Sequence, residues 1–64
     1  MTLEEYIVEE LKEFESNDNY WGSEAQIESE NFIVRYAFKD CGVEMGYNEC
    51  LEEFYHRVLK NLRS

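Results

Sequence analysis

The sequence contains no proline and has three glycines, two cysteines and one histidine among its 64 residues. Cys41 and Cys50 form no CxxC pair and have no histidine at metal-ligand spacing, which argues against a zinc site. A catalytic or metal role for His56 would require a nucleophile or further ligands that the sequence does not place near it. We therefore expect no enzyme activity, no metal and no cofactor.

Long apolar runs are also absent. Nothing approaches the roughly 18 apolar residues that a membrane-spanning helix needs. The opening residues 1–5 are acidic and lack the apolar segment of a signal peptide. These absences predict a protein without membrane contact in a reducing cytoplasm, where Cys41 and Cys50 are free and act as small core residues.

The chain is short for an independent fold. A single domain covering residues 1–64 hides only about 60% of the surface that its unfolded form exposes. Without a disulfide framework or a metal, the remaining sources of stability are close helix packing and association with another chain. The size therefore favours a homodimer or an obligate complex.

Basic residues are scarce and unevenly placed. The chain has six Lys and Arg residues and fifteen Asp and Glu residues, which gives a net charge of −9. Residues 1–32 hold ten acids and the single base Lys12, whereas residues 33–64 hold five of each sign. Phosphate binding needs clustered bases, so we expect no direct contact with nucleic acid. An acidic surface suits a basic protein partner, or simply keeps the chain soluble.

Two segments show the one-sided apolar spacing of surface helices. The first is predicted at about 3–15, where Thr2 and Glu5 form a capping box. The second is predicted at about 48–63, with acids in its first turn and bases in its last, as the helix dipole favours. Their apolar positions are Leu3, Ile7, Leu11 and Phe14 in the first, and Leu51, Phe54, Tyr55, Val58, Leu59 and Leu62 in the second.

The apolar run at 32–38 is predicted as a strand, because most of its residues are β-branched or aromatic. One face would carry Phe32, Val34, Tyr36 and Phe38. No second strand is evident, and a lone strand leaves backbone groups that must pair. The economical solution is pairing with its own copy across a two-fold axis. The favoured fold is therefore a mainly α, small α+β domain whose strand forms the seam of a homodimer.

An all-α domain of three helices is the alternative. Ser23 and Gln26 again suggest a capping box, and Gly42 provides a helix stop, so one helix at about 24–41 would include the whole apolar run. Such a helix would be apolar on two faces.

Two features are candidates for binding a partner. Glu5, Glu9 and Glu13 form an acidic ladder along the first helix, either as a solvated face or as a docking ridge for a basic protein. Tyr20 and Trp21 lie in the polar loop that follows, where Trp21 either folds over the core or anchors in a partner's pocket.

The chain as a whole resembles small early-region accessory proteins of lambda-like temperate phages, encoded between the recombination exonuclease and the excisionase. The resemblance is carried by Thr2-Leu3-Glu4-Glu5-Tyr6, Tyr20-Trp21-Gly22, the run at 32–38 and Phe54-Tyr55-His56-Arg57. It implies a dimer with two helices and one strand per chain, which acts in the cytoplasm of the infected bacterium and promotes lytic development. It carries over no catalytic residues.

The function expected from these features is that of a non-enzymatic, acidic, homodimeric adaptor, which binds a host or phage protein. A nucleic-acid mimic is the alternative, in which the carboxylates of the first half imitate phosphates and block a DNA-binding enzyme. Charge reversal at Glu5, Glu9 and Glu13 should abolish the binding of a mimic but only weaken an adaptor.

Overall fold

The computed structural model describes all residues from 1 to 64 and contains three α-helices and no strand. Helix α1 spans Leu3–Ser16, α2 spans Glu24–Cys41 and α3 spans Leu51–Arg63. Each helix packs against both of the others. The molecule is therefore a three-helix, all-α domain.

The first and last predicted helices are confirmed. The hydroxyl of Thr2 accepts a hydrogen bond from the Glu5 amide at 3.2 Å, and the Thr2 amide donates to the Glu5 carboxylate at 3.1 Å. This capping box fixes the start of α1. Helix α3 begins at Leu51, later than predicted, and its N-cap Cys50 makes no side-chain capping bond.

The predicted strand at 32–38 is wrong, and the three-helix alternative is correct. Those residues lie in the second half of α2. The Ser23 hydroxyl accepts from the Gln26 amide at 3.2 Å, which starts the helix. The helix ends at Gly42, which lies in the left-handed region with φ +68°. The Gly42 amide donates to the Phe38 carbonyl at 2.9 Å. The backbone groups of the run are satisfied within the helix, so they do not require a second strand.

Helix α2 buries a stripe that lies between its two large apolar flanks. Ile33 and Ala37, one turn apart, have no exposed surface. Phe32, at 41% exposed, lies on one side of this stripe, and Phe38, at 57% exposed, lies on the other. Because successive helical residues are separated by 100°, the four side chains predicted to form one strand face divide between two sides of the helix, with Phe32 and Tyr36 on one and Val34 and Phe38 on the other.

Helix α3 supplies the widest part of the core. Ten buried apolar residues form one cluster, to which α1 contributes Ile7 and Phe14 and the second loop, at 42–50, contributes Val43. The members from α3 are Leu51, Phe54, Tyr55, Val58 and Leu59. The predicted apolar face of this helix is thereby confirmed, with Leu62 partly buried at its edge.

The loop at 42–50 is held against α3 by Arg57. Its guanidinium donates to both carboxylate oxygens of Glu49, at 2.9 and 2.7 Å, and to the carbonyl of Glu44. The Gly46 amide donates to the same carboxylate at 2.8 Å. Hydrogen bonds from Arg57 and then Gly46 lower the pKa of Glu49 to about 2. The loop is therefore a fixed part of the fold.

Candidate protein-binding surface

The acidic ladder of α1 divides into a structural and a free part. The Glu5 carboxylate turns back to Thr2, and the hydrogen bonds from the Thr2 amide and hydroxyl lower the pKa of Glu5. Glu9 and Glu13 are exposed, one helical turn apart. The ammonium of Lys12 lies 3.8 Å from the Glu9 carboxylate. Both side chains are mostly in water, so the attraction between them is weak and Glu9 stays available to a partner. The available acidic ridge is thus Glu9 and Glu13.

Tyr20 and Trp21 both fold back onto the domain. The Tyr20 hydroxyl donates to Glu10, and burial together with this bond raises the pKa of Tyr20 to about 12. Trp21 stacks on Phe14 with ring centroids 4.0 Å apart and an interplanar angle of 13°, and it remains 46% exposed. Tyr20 therefore has a structural role, whereas Trp21 presents only its outer face.

A row of three adjacent aromatic rings, those of Tyr6, Phe32 and Tyr36, crosses the surface between α1 and α2, and we call it the aromatic strip. The Tyr6 and Phe32 centroids are 4.8 Å apart, and those of Phe32 and Tyr36 are 4.4 Å apart. The Tyr6 hydroxyl lies 3.3 Å from the Ser29 hydroxyl, which fixes one end. The ammonium of Lys39 lies 5.7 Å from the centroid of Tyr36 at the other end.

The acidic ridge borders the aromatic strip. Tyr6, Glu9 and Glu13 occupy positions i, i+3 and i+7 of α1, which places them on one side of the helix. Sequence reasoning missed Tyr6 as a member of the surface. Its position beside the apolar stripe of α1 was the available signal, since a half-buried flanking aromatic marks the seam with the next helix.

A second apolar surface lies on the other flank of α2. Val34, Arg35, Phe38 and Glu44 line an open groove of about 320 Å³. Arg35 and Glu44 form no ion pair with any side chain. The four predicted seam residues are therefore divided, with Phe32 and Tyr36 in the aromatic strip and Val34 and Phe38 in this groove.

The structure also bears on other kinds of site. No group of three or more His, Cys, Asp and Glu side chains is arranged to hold a metal ion. None of the helices combines the length and the apolarity that crossing a bilayer requires. Cys41 and Cys50 are both free thiols, but Cys41 is only half-buried and Cys50 is exposed, so the prediction that both are core residues is wrong.

Comparison of the chain with models of protein families, with curated proteins and with solved structures gave no match. The resemblance to phage early-region proteins therefore stays a prediction.

Proposed function

We propose that this protein is a non-enzymatic adaptor that binds a basic segment of another protein across the aromatic strip and the acidic ridge. The observation that carries the proposal is the contact of Lys39 with the Tyr36 ring. The strip already receives a cation of its own chain on a ring face, in the geometry of a cation–π interaction. Lys and Arg side chains of a partner have the same chemistry.

The ridge and the strip complement each other in recognising such a partner. Aromatic side chains that are partly exposed and held rigid are the usual anchors of protein interfaces, and Phe32 fits this description. The exposed carboxylates of Glu9 and Glu13 attract the partner's bases and orient their approach. The net charge of the chain also favours a basic partner, because all of it arises from residues 1–32, the half that contains the acidic ridge.

The biological setting that we propose is the early lytic programme of a temperate phage, in the cytoplasm of the infected bacterium. The support for it is the resemblance in sequence, and the partner is then a host or phage protein that the adaptor occludes or recruits. Homodimerisation belongs to the same proposal, and it is supported by the small core and by the apolar groove that includes Phe38.

The binding proposal is tested with partners captured by crosslinking and then purified. We expect Phe32→Ala to weaken the binding of a true partner by about tenfold or more, as loss of an aromatic anchor does. The double variant Glu9→Lys/Glu13→Lys should weaken it severalfold, most strongly at low salt. Glu15→Lys is the matched control, since Glu15 is an exposed acid on another side of α1. Equal affinity of Phe32→Ala and wild type would contradict the adaptor.

The same variants distinguish a nucleic-acid mimic, whose binding depends on carboxylates. A mimic loses its target on charge reversal at Glu9 and Glu13, keeps it in Phe32→Ala, and is displaced by DNA. The phage setting has a separate readout. Supplying the protein in infected cells should raise the fraction of infections that become lytic, and an unchanged fraction would remove that setting without affecting the binding result.

A further inference from the structure

One side of α2, opposite to the aromatic strip, is apolar and only partly covered by the rest of the chain. Its members recur seven, four and three residues apart, which places them along one side of the helix. They are Ile27, Val34, Phe38 and Cys41, the first and third exposed and the other two half-buried. Single apolar side chains on a surface are ordinary, but a row of them marks a site of interaction. This side of α2 therefore has the composition of a contact surface.

The second half of this side forms the open groove of about 320 Å³. Val34 and Phe38 supply its apolar lining, and Arg35 and Glu44 supply its charges. Arg57 holds the backbone of Glu44 by donating to its carbonyl, so that rim of the groove is fixed. The Arg35 guanidinium and the Glu44 carboxylate form no ion pair within the chain. The groove thus presents an apolar centre with one unpaired charge of each sign.

The charges of the groove determine which partner fits it. The acidic ridge selects a basic protein, but the groove is neutral as a whole, and a basic segment placed in it would meet Arg35. A two-fold dimer joins the same surface of both chains, so that surface has to be complementary to itself. An apolar centre with one acid and one base at its rim meets this requirement, because the two-fold rotation can place each acid opposite a base.

We propose that a second copy of this chain covers the groove, with Arg35 of each copy paired to Glu44 of the other. This assignment rests on the homodimer of the proposed function and adds where the two copies meet. Phe38 lies between Arg35 and Glu44 in the chain, so the same arrangement brings the two Phe38 rings together near the two-fold axis. The rings then anchor the contact, and the two ion pairs at its rim fix the register.

A dimer of this form leaves the proposed binding surface open. The aromatic strip and the acidic ridge lie on the other flank of α2, so each copy presents its own strip to a partner. A partner with two basic segments can therefore bind both copies at once, which strengthens its attachment without any new contact. The contact between the copies does not compete with the role of the adaptor.

Exchange of the two charges tests the pairing, with the dimer dissociation constant measured by analytical ultracentrifugation of the purified chain. Arg35→Glu and Glu44→Arg each place like charges across the contact, so each should weaken the dimer by about tenfold or more at low salt. The variant that carries both substitutions restores opposite charges and should regain most of the wild-type affinity. Lys60→Glu is the matched control, because it makes the same change of net charge at an exposed base of α3 and should leave the dimer unchanged.

The outcomes separate this inference from the proposed function. A wild-type dimer whose dissociation constant is unchanged by Arg35→Glu and by Glu44→Arg keeps the homodimer but overturns the groove as its contact. A double variant that associates no better than the single ones also overturns the pairing, and its recovery excludes a folding defect as the cause of the losses. A wild type that sediments as one chain even at high concentration removes the homodimer and this inference together. It leaves the adaptor, which the Phe32→Ala variant tests separately.

Discussion

Truncating Ile33 or Phe38 to alanine distinguishes the helical core from the predicted strand seam. The helix buries Ile33 and exposes Phe38, whereas the seam would bury Phe38. Ile33 has no exposed surface, whereas Phe38 is 57% exposed. Ile33→Ala removes roughly three methylene-sized groups at about 0.8 kcal/mol each. The cavity that remains raises the loss in unfolding free energy to about 3 kcal/mol. Phe38→Ala removes a larger side chain, but mostly from water, and we expect a loss below about 1 kcal/mol.

The loss at Ile33 is large for this protein. A domain of this size has a total stability of about 3 to 10 kcal/mol. A deficit of about 3 kcal/mol lowers Tm by roughly 12 to 24 °C. Ile33→Ala is therefore expected to be marginally folded at 37 °C, while Phe38→Ala stays folded.

Urea unfolding, monitored by circular dichroism at the helical band, measures the loss of unfolding free energy in both variants. The slope of the unfolding free energy against urea concentration should be the same in the wild type and both variants, because nearly the same surface is exposed on unfolding. Measuring at two protein concentrations also tests the proposed homodimer. If Phe38 lies in the dimer contact, the wild-type midpoint rises with concentration and that of Phe38→Ala does not. In dilute solution, a larger loss for Phe38→Ala than for Ile33→Ala would refute the helical core.

Two further changes test the second loop and the end of α2. The pKa of Glu49 lies at about 2 because Arg57 and Gly46 donate to its carboxylate. Its stabilising contribution is therefore present above about pH 4.5 and is lost towards pH 2. Glu49→Gln should show a shallower fall of Tm between these pH values, and Glu52→Gln, at an exposed acid, should follow the wild type. Gly42→Ala should cost about 1 to 2 kcal/mol in thermal unfolding. No atom lies within 4 Å of the added carbon, so a loss near zero would contradict the left-handed conformation.

The outer helices could be predicted from the sequence because each has a single apolar face and clear end signals. Thr2 and Glu5 mark the start of α1, and the charge order from Glu52 to Arg63 follows the dipole of α3. The end signals of the helices were less informative for the predicted partner-binding residues. Glu5 was predicted to contact a partner, but its capping role, visible in the same residues, already engages its carboxylate.

The middle helix was predicted only as an alternative, and the reason lies in which of its residues face the core. Apolar side chains on several sides fit a period of two as well as a period of 3.6, so periodicity cannot choose between strand and helix. Ser23 and Gly42 carried the deciding information, since a cap and a left-handed stop that enclose eighteen residues belong to one helix.

The strand prediction chose the wrong face of the run. Phe32, Val34, Tyr36 and Phe38 were expected to meet at a dimer seam, but the fully buried positions are Ile33 and Ala37. The distance between packed helices depends on the side chains at their contact, and a small residue such as Ala37 allows a close approach. The bulky rings then lie at the flanks, where α1 and the second loop cover them only in part. The apolar run thus serves two purposes, because its smaller side chains build the core while its aromatic ones form the surfaces on which the proposed binding depends.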